Sequence, residues 1–268
     1  MLLAASRRLL MTRTATPALL GAPTLPQAFR NGINALAAAQ LLVDIAPYPG
    51  MDEGDLIELF WDNCFAASRR VTACKVGMPT RLRVPESFVQ EGVAQVHYQV
   101  MQVGRAPARS ALAHLRVKTN YPGGLPCALY SDENQNLAPV GLPETIRRYG
   151  VNASQVRRGI PLTIEPYLHM CTGDAITLRW GDARLDLPKI QPKAVGHAVQ
   201  VWVPSTLIVE AGDDSRLEVT YCILDRVGNN SRWAPARTLR IAACAPTRPT
   251  GAAPVYQPRP LGSPCEPG

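Results

Sequence analysis

The sequence predicts an all-β protein built from two tandem antiparallel β-sandwich domains. Three observations predict it: a fifteen-residue segment that recurs at a fixed offset, strict two-residue alternation within each copy, and a composition poor in helix-building residues. Of 268 residues, 46% are hydrophobic, 18% are charged and 25 are proline. The charged share lies under the usual ~25% and the prolines are about twice the usual ~5%. Coiled coils and long helical assemblies are thereby excluded, while apolar residues suffice for real cores.

The recurring segment runs Pro47-Tyr48-Pro49-Gly50-Met51-Asp52-Glu53-Gly54-Asp55-Leu56-Ile57-Glu58-Leu59-Phe60-Trp61. It returns as Pro166-Tyr167-Leu168-His169-Met170-Cys171-Thr172-Gly173-Asp174-Ala175-Ile176-Thr177-Leu178-Arg179-Trp180, so both read PYxxMxxGDxIxLxW at an offset of 119. Val76-Gly77 falls on Val195-Gly196 and Val84-Pro85 on Val203-Pro204 at the same offset. Past an insertion near Gly212 and Ser215, Tyr98 and Val100 answer Tyr221 and Ile223, and Leu115-Arg116-Val117 answers Leu239-Arg240-Ile241. Upstream, Leu25-Pro26 and Gly32-Ile33-Asn34 answer Leu142-Pro143 and Gly150-Val151-Asn152. One domain is written twice.

The pattern inside a copy is therefore read in duplicate. Leu42 and Ile45, like Leu162 and Ile164, belong to short apolar runs that end at Pro-Tyr. Gly-Asp then marks a turn, where glycine takes positive φ freely and aspartate bonds nearby amides. Ile57, Leu59 and Trp61 alternate with Glu58 and Phe60, and Ile176, Leu178 and Trp180 with Thr177 and Arg179, as in half-buried antiparallel strands. Leu82 and Val84, or Val199, Val201 and Val203, form a further strand closed by proline. Residues 93–103 and 217–224 follow, and residues 111–117 and 237–241 complete each copy. No amphipathic helix stands out. The expected layout is a disordered leader over 1–20, sandwiches over 21–118 and 138–242, a linker over 119–137 and a proline-rich disordered tail over 243–268. The length and turn content of the linker predict that the sandwiches reorient.

The repeated PYxxMxxGDxIxLxW segment, the Val-Gly hinge, the strand closed by Val-Pro and the Tyr-x-Val strand resemble the immunoglobulin-like repeats of large bacterial surface and secreted proteins. The resemblance covers both copies and implies two immunoglobulin-like sandwiches with no catalysis, in adhesion, in protein or glycan binding, or as structural spacers. It also implies an extracellular or cell-surface setting. A tryptophan ending a central strand, and Tyr98 or Tyr221 as a tyrosine corner, suit such a core. The first twenty residues carry Arg7, Arg8 and Arg13 but match a secretory signal poorly, which keeps an intracellular interaction or assembly module as the alternative. A hydrolase with an accessory sandwich ranks lower, since it needs two acids across a cleft.

No catalytic, cofactor-binding or metal residue is predicted, and no cofactor. Glycine-rich phosphate loops and a GxSxG elbow are missing from the sequence. His97, His114, His169 and His197 are scattered. Asp55 and Asp174, the acids shared by both copies, are read as turn caps in preference to calcium ligands, which need six to eight oxygens. Seven cysteines stand at 64, 74, 127, 171, 222, 244 and 265, none shared between copies, and a Cys64–Cys74 bridge is the one pairing the first domain allows. The net charge of +7 draws on the termini, and the pairs Arg69-Arg70, Arg147-Arg148 and Arg157-Arg158 are spread out, so no nucleic-acid partner is expected. No apolar run reaches the ~18 residues of a membrane span. Partner contacts are expected in inter-strand segments where the copies differ: 62–75, 181–193 and the insertion at 212–215.

Overall fold

The computed structural model describes residues 19–126 and 131–242. The tail, Cys127, Tyr130, Cys244, Cys265 and all but the last two residues of the leader lie outside the described residues.

The first copy contains β1 (Gly32–Ile33), α1 (Ala35–Ala39), β2 (Leu42–Ile45), β3 (Leu56–Trp61), β4 (Cys64–Arg70), β5 (Thr80–Arg83), β6 (Gly92–Met101), β7 (Ala108–Arg109) and β8 (Ala113–Val117). Its larger sheet has the order β1-β8-β6-β3-β4, with β7 on β6, and its smaller sheet is β2-β5. The second copy adds α2 (Glu144–Tyr149), β9 (Val151–Asn152), α3 (Ala153–Arg158), β10 (Ile160–Ile164), β11 (Ala175–Trp180), β12 (Ala183–Asp186), β13 (Val199–Val203), α4 (Ser205–Ala211), β14 (Asp214–Leu224), β15 (Asn230–Trp233) and β16 (Arg237–Ala242). Its sheets are β9-β16-β14-β11-β12, with β15 on β14, and β10-β13.

In each copy the first strand lies parallel to the last, β1 on β8 and β9 on β16, while the other pairings are antiparallel. A short bridge upstream, Thr24 with Asp44 or Gly141 with Thr163, joins the opposite sheet. Central strands in one sheet, the second and fifth long strands in the other, and a first strand shared between them make an immunoglobulin-like sandwich.

Burial follows the alternation. Ile57, Leu59 and Trp61, and Ile176, Leu178 and Trp180, point into two separate cores. An indole buries roughly 150–250 Å², worth on the order of 4–6 kcal/mol gross at about 25 cal/mol per Å². Trp61 and Trp180 thus anchor their cores, joined by Tyr98 and Tyr221 from the neighbouring strands.

Three details depart from expectation, and one pairing left open is decided. Short helices are present: α1 and α3 are capped by Asn34 and Asn152, which accept from the backbone N–H of Ala37 and Gln155. Residues 62–75 and 181–193 are not plain loops, because β4 and β12 pair with β3 and β11 as sheet-edge strands. Asp62 and Asn63 turn the first hairpin with φ of 47° and 64°, the left-handed pair that short hairpins favour. Cys64 and Cys74 are both free. Cys64 opens β4 and Cys74 lies past its other end; the seven residues of the strand rise about 3.3 Å each, whereas a disulfide needs Cα atoms within about 7 Å. Tyr221, finally, forms no local corner: its hydroxyl donates to Ala138 O at 2.9 Å and ties the connector to the second core.

Candidate functional site

The acids shared by both copies lock a turn. Tyr48 donates its hydroxyl to Asp55 Oδ2 at 3.0 Å, and Tyr167 donates to Asp174 Oδ2 at 2.9 Å. The backbone N–H groups of Asp52 and Cys171 donate to the same oxygens at 3.0 and 2.9 Å. Pro-Tyr and Gly-Asp recur together because they are the two halves of this lock. Burial, reinforced by the facing carboxylate, pushes both phenols above their ordinary range, so they stay protonated donors. Burial also pushes the Asp174 carboxyl up, opposed by the Cys171 N–H and by Lys118.

Above the second lock lies the junction between sandwiches. Lys118, just past β8, brings Nζ to 3.2 Å from Asp225 Oδ2 and donates to His169 O at 3.3 Å. Burial opposes its charge, but Asp174 and Asp225 outweigh it and the ammonium titrates above its ordinary range. Asn229 closes the seam: Nδ2 donates to Lys118 O at 2.8 Å, and Oδ1 accepts from Ala35 N at 2.9 Å. Asp225 holds Asn229 in turn, accepting from its Nδ2 and backbone N–H. Val227 is buried against Gly32, where a Cβ would lie 2.6 Å from Val227 Cγ1, so only glycine permits the approach. Beside the contact a cavity of about 380 Å³ opens between Glu91, Arg116, Lys118, Asp174 and Arg226.

The connector is docked as well. Glu91 accepts from the N–H groups of Thr119 and Asn120, fixing its start to the first copy. Buried Asn134 donates to Gly124 O and Ser231 O, and Leu137 enters the second core. The expectation of freely reorienting sandwiches is corrected: polar groups that a loose linker would leave to water are satisfied across the seam.

The copies differ on their outer sheet faces. In the first, a row crosses four strands: Phe65 on β4, Phe60 on β3, His97 on β6 and Arg109 on β7. Phe60 and His97 stack at 5.0 Å between centroids, Phe65 meets Phe60 edge-on at 6.3 Å, and Arg109 reaches His97 Nδ1 at 3.4 Å. Phe65, at the sheet edge, remains 52% exposed. In the second copy Arg179 replaces Phe60 and stacks on Trp233 at 5.1 Å. The second copy instead exposes Trp202, beside a groove of about 360 Å³ lined by Leu185, Leu187, Ile190, Val199 and Val201. Of the insertion at 212–215, Gly212 and Asp213 turn the chain between α4 and β14, and Asp214 and Ser215 open β14.

His97 is buried within the aromatic row, where burial and then Arg109 lower its pKa. Among the described residues, no three His, Cys, Asp or Glu side chains cluster to hold a metal ion, and no helix is long and apolar enough to cross a membrane. Sequence reasoning placed the two aspartates in their turns but missed Lys118, Asp225 and Asn229. The signal was there: the register that matches Tyr98 to Tyr221 sets Gln102 against Asp225, a change of charge at the end of a shared strand.

No family model and no curated protein matches the sequence. Among solved structures, the chain is similar to one described as structural insight into host cell surface retention of a 1.5-MDa bacterial ice-binding adhesin, at 13% identity and TM-score 0.34, over 83% of this chain and 65% of that one. It is similar to fibronectin(III)-like modules of Clostridium thermocellum CbhA, at 7% identity and TM-score 0.41, over 81% of this chain and 90% of that one. A tetra-tandem repeat in the extending region of a large adhesion protein is matched at 12% identity and TM-score 0.30, over 81% of this chain and 48% of that one. The chain thus spans just under two thirds of the first structure and about half of the third.

Proposed function

We propose that the chain is a non-catalytic pair of immunoglobulin-like modules that acts in adhesion, holding a contact face at a fixed angle toward a protein or glycan partner. The junction carries this reading. Lys118, Asp225, Asn229 and Val227 couple the sandwiches end to end, an arrangement suited to spacing and presentation. The contact face is the outer sheet of the first copy around Phe65, the exposed end of an aromatic row that continues through half-buried Phe60 to buried His97, since aromatic side chains anchor interfaces. Binding of the full chain to panels of immobilised glycans and surface proteins tests it. Phe65→Ser is expected to weaken capture at least tenfold while leaving the unfolding midpoint in place. Undiminished capture by that variant rejects the face, and conversion of a captured ligand to smaller products rejects the non-catalytic reading.

The free, exposed thiols of Cys64, Cys74 and Cys171 favour a second reading, an intracellular assembly module, because free thiols persist in reducing compartments. Fractionation of cells producing the native protein separates the two.

A further inference from the structure

The two copies complete the same pole in different ways. Met101 pairs with Leu56 and Leu224 with Ala175, so the residues that follow, Gln102 and Asp225, are counterparts. In the first copy Gln102 Nε2 donates to Asp55 Oδ2 at 2.9 Å and to Gly50 O at 2.7 Å. Gly50 corresponds to His169, and both hold positive φ, 72° and 59°. In the second copy the donor to that carbonyl is not the copy's own side chain but Lys118 of the preceding sandwich. Asp225 has no proton to donate when ionised and places a second buried carboxylate near Asp174, whose Oδ1 is buried without a hydrogen-bond partner. Two buried carboxylates without a paired cation are costly, and the ammonium within ion-pair distance of Asp225 arrives from outside the pole, on Lys118.

The turn tips show the same contrast. Val227 is buried against Gly32, whereas Val103, on the corresponding turn of the first copy, is 98% exposed. At the far end, Ile241 stands where the first copy has Val117, and the next residue is Ala242 in place of Lys118.

We infer that the pole of the second sandwich bearing Asp174 and Asp225 is a docking site that reads a lysine at the end of a preceding sandwich's last strand, and that the first sandwich's equivalent pole, closed by Gln102, reads none. The partner class is a sandwich of this kind with lysine just past its final strand. Here the first copy fills that role within the same chain, with its peptide carbonyl at Lys118 held by Asn229. The order of the copies is thereby fixed chemically: exchanged, the first copy's pole would meet no cation and need none, and the second copy's acids would lie unpaired. The inference stands on the junction alone and holds whatever the outer faces bind.

Full-length variants test it, with the two unfolding transitions followed by calorimetry. Lys118→Met is expected to lower the midpoint of the second sandwich by on the order of 10 °C. Lys118→Met with Asp225→Asn, which sheds the charge but keeps the oxygen that accepts from the Val227 and Asn229 N–H groups, is expected to regain at least half of that loss. Arg105 donates to Gln102 Oε1 at 3.2 Å, so Gln102→Asp is made in an Arg105→Ala background, where it is expected to lower the first sandwich's midpoint because no cation is left to face it. The inference is overturned if Lys118→Met changes nothing, if Lys118→Met with Asp225→Asn is no more stable than Lys118→Met, or if Gln102→Asp is silent in the Arg105→Ala background. Should Lys118→Met fail to fold, Asp225→Asn alone decides: a midpoint within a few degrees of wild type supports the inference, and a fall as large as that set for Lys118→Met overturns it. Sedimentation is expected to give a monomer. A dimer abolished by Lys118→Met would put the lysine in another molecule's pole and overturn the assignment within one chain.

Discussion

Replacing Asp174 with alanine separates a turn lock from a metal ligand. The substitution removes the acceptor of the Tyr167 hydroxyl and of the Cys171 N–H, both bonded at 2.9 Å. A buried donor left unpaired costs about 1–3 kcal/mol, so the gross loss is about 2–6 kcal/mol. Relief from burying a carboxylate with one unpartnered oxygen offsets part of it, and the expected net destabilisation is about 2–4 kcal/mol. Asp174→Asn keeps an acceptor oxygen and sheds the charge, so it should cost about 1 kcal/mol or less. Asp55→Ala strands three donors, from Tyr48, Asp52 and Gln102, and should cost at least as much as Asp174→Ala. Urea unfolding read by fluorescence resolves the copies, with Trp180, Trp202 and Trp233 reporting the second in a Trp61→Phe background and Trp61 the first in a background with Trp180, Trp202 and Trp233 all replaced by Phe. Chelator and millimolar calcium should leave the wild-type midpoints unmoved. A cost for Asp174→Ala under about 0.5 kcal/mol, within the range of ordinary surface changes, would refute the lock. So would a calcium stabilisation that this variant abolishes.

Gly32→Ala should drive a methyl group into Val227 Cγ1, which lies 2.6 Å from the Cβ position, and into Phe29 O at 2.9 Å. Such overpacking costs about 1–3 kcal/mol, and chemical-shift changes should centre on residues 225–229 while both core tryptophan environments stay native. Arg81 donates to Asp44 at 2.6 and 2.7 Å, and that bond holds the Asp44 carboxyl below its ordinary value. With the folded pKa depressed, the stabilisation is present above the ordinary carboxylate pKa and is lost as pH falls through the depressed one. Wild type minus Asp44→Asn stability, measured from pH 7 down to pH 2, should therefore shrink only on the acid limb and stay under about 1 kcal/mol, since Arg81 is exposed.

Strand positions were readable wherever one face is buried. Ile57, Leu59 and Trp61 and their counterparts at 176, 178 and 180 repeat a two-residue period that only a half-buried strand imposes. β4 gave no such signal. Its Cys-Phe-Ala-Ala-Ser-Arg-Arg sequence lies on a sheet edge with both faces largely open to water, and a register shift opposite Leu59 and Phe60 breaks its alternation. The short helices escaped notice because five to seven residues are too few to build an amphipathic period. The junction escaped for a different reason. A repeat comparison highlights what the copies share, and Lys118, Asp225 and Val227 matter because the copies do not share them. The two aspartates were readable as turn residues, but their tyrosine partners, seven residues away, became visible only in three dimensions.

The coupling of the sandwiches into one body is tested most directly by residual dipolar couplings of backbone N–H groups in the weakly aligned full chain. Couplings from residues 19–118 and from residues 138–242 should fit a single alignment tensor, and Lys118→Met with Asn229→Ala should split it into two of unequal magnitude. Two unequal tensors in the wild-type chain would contradict the account.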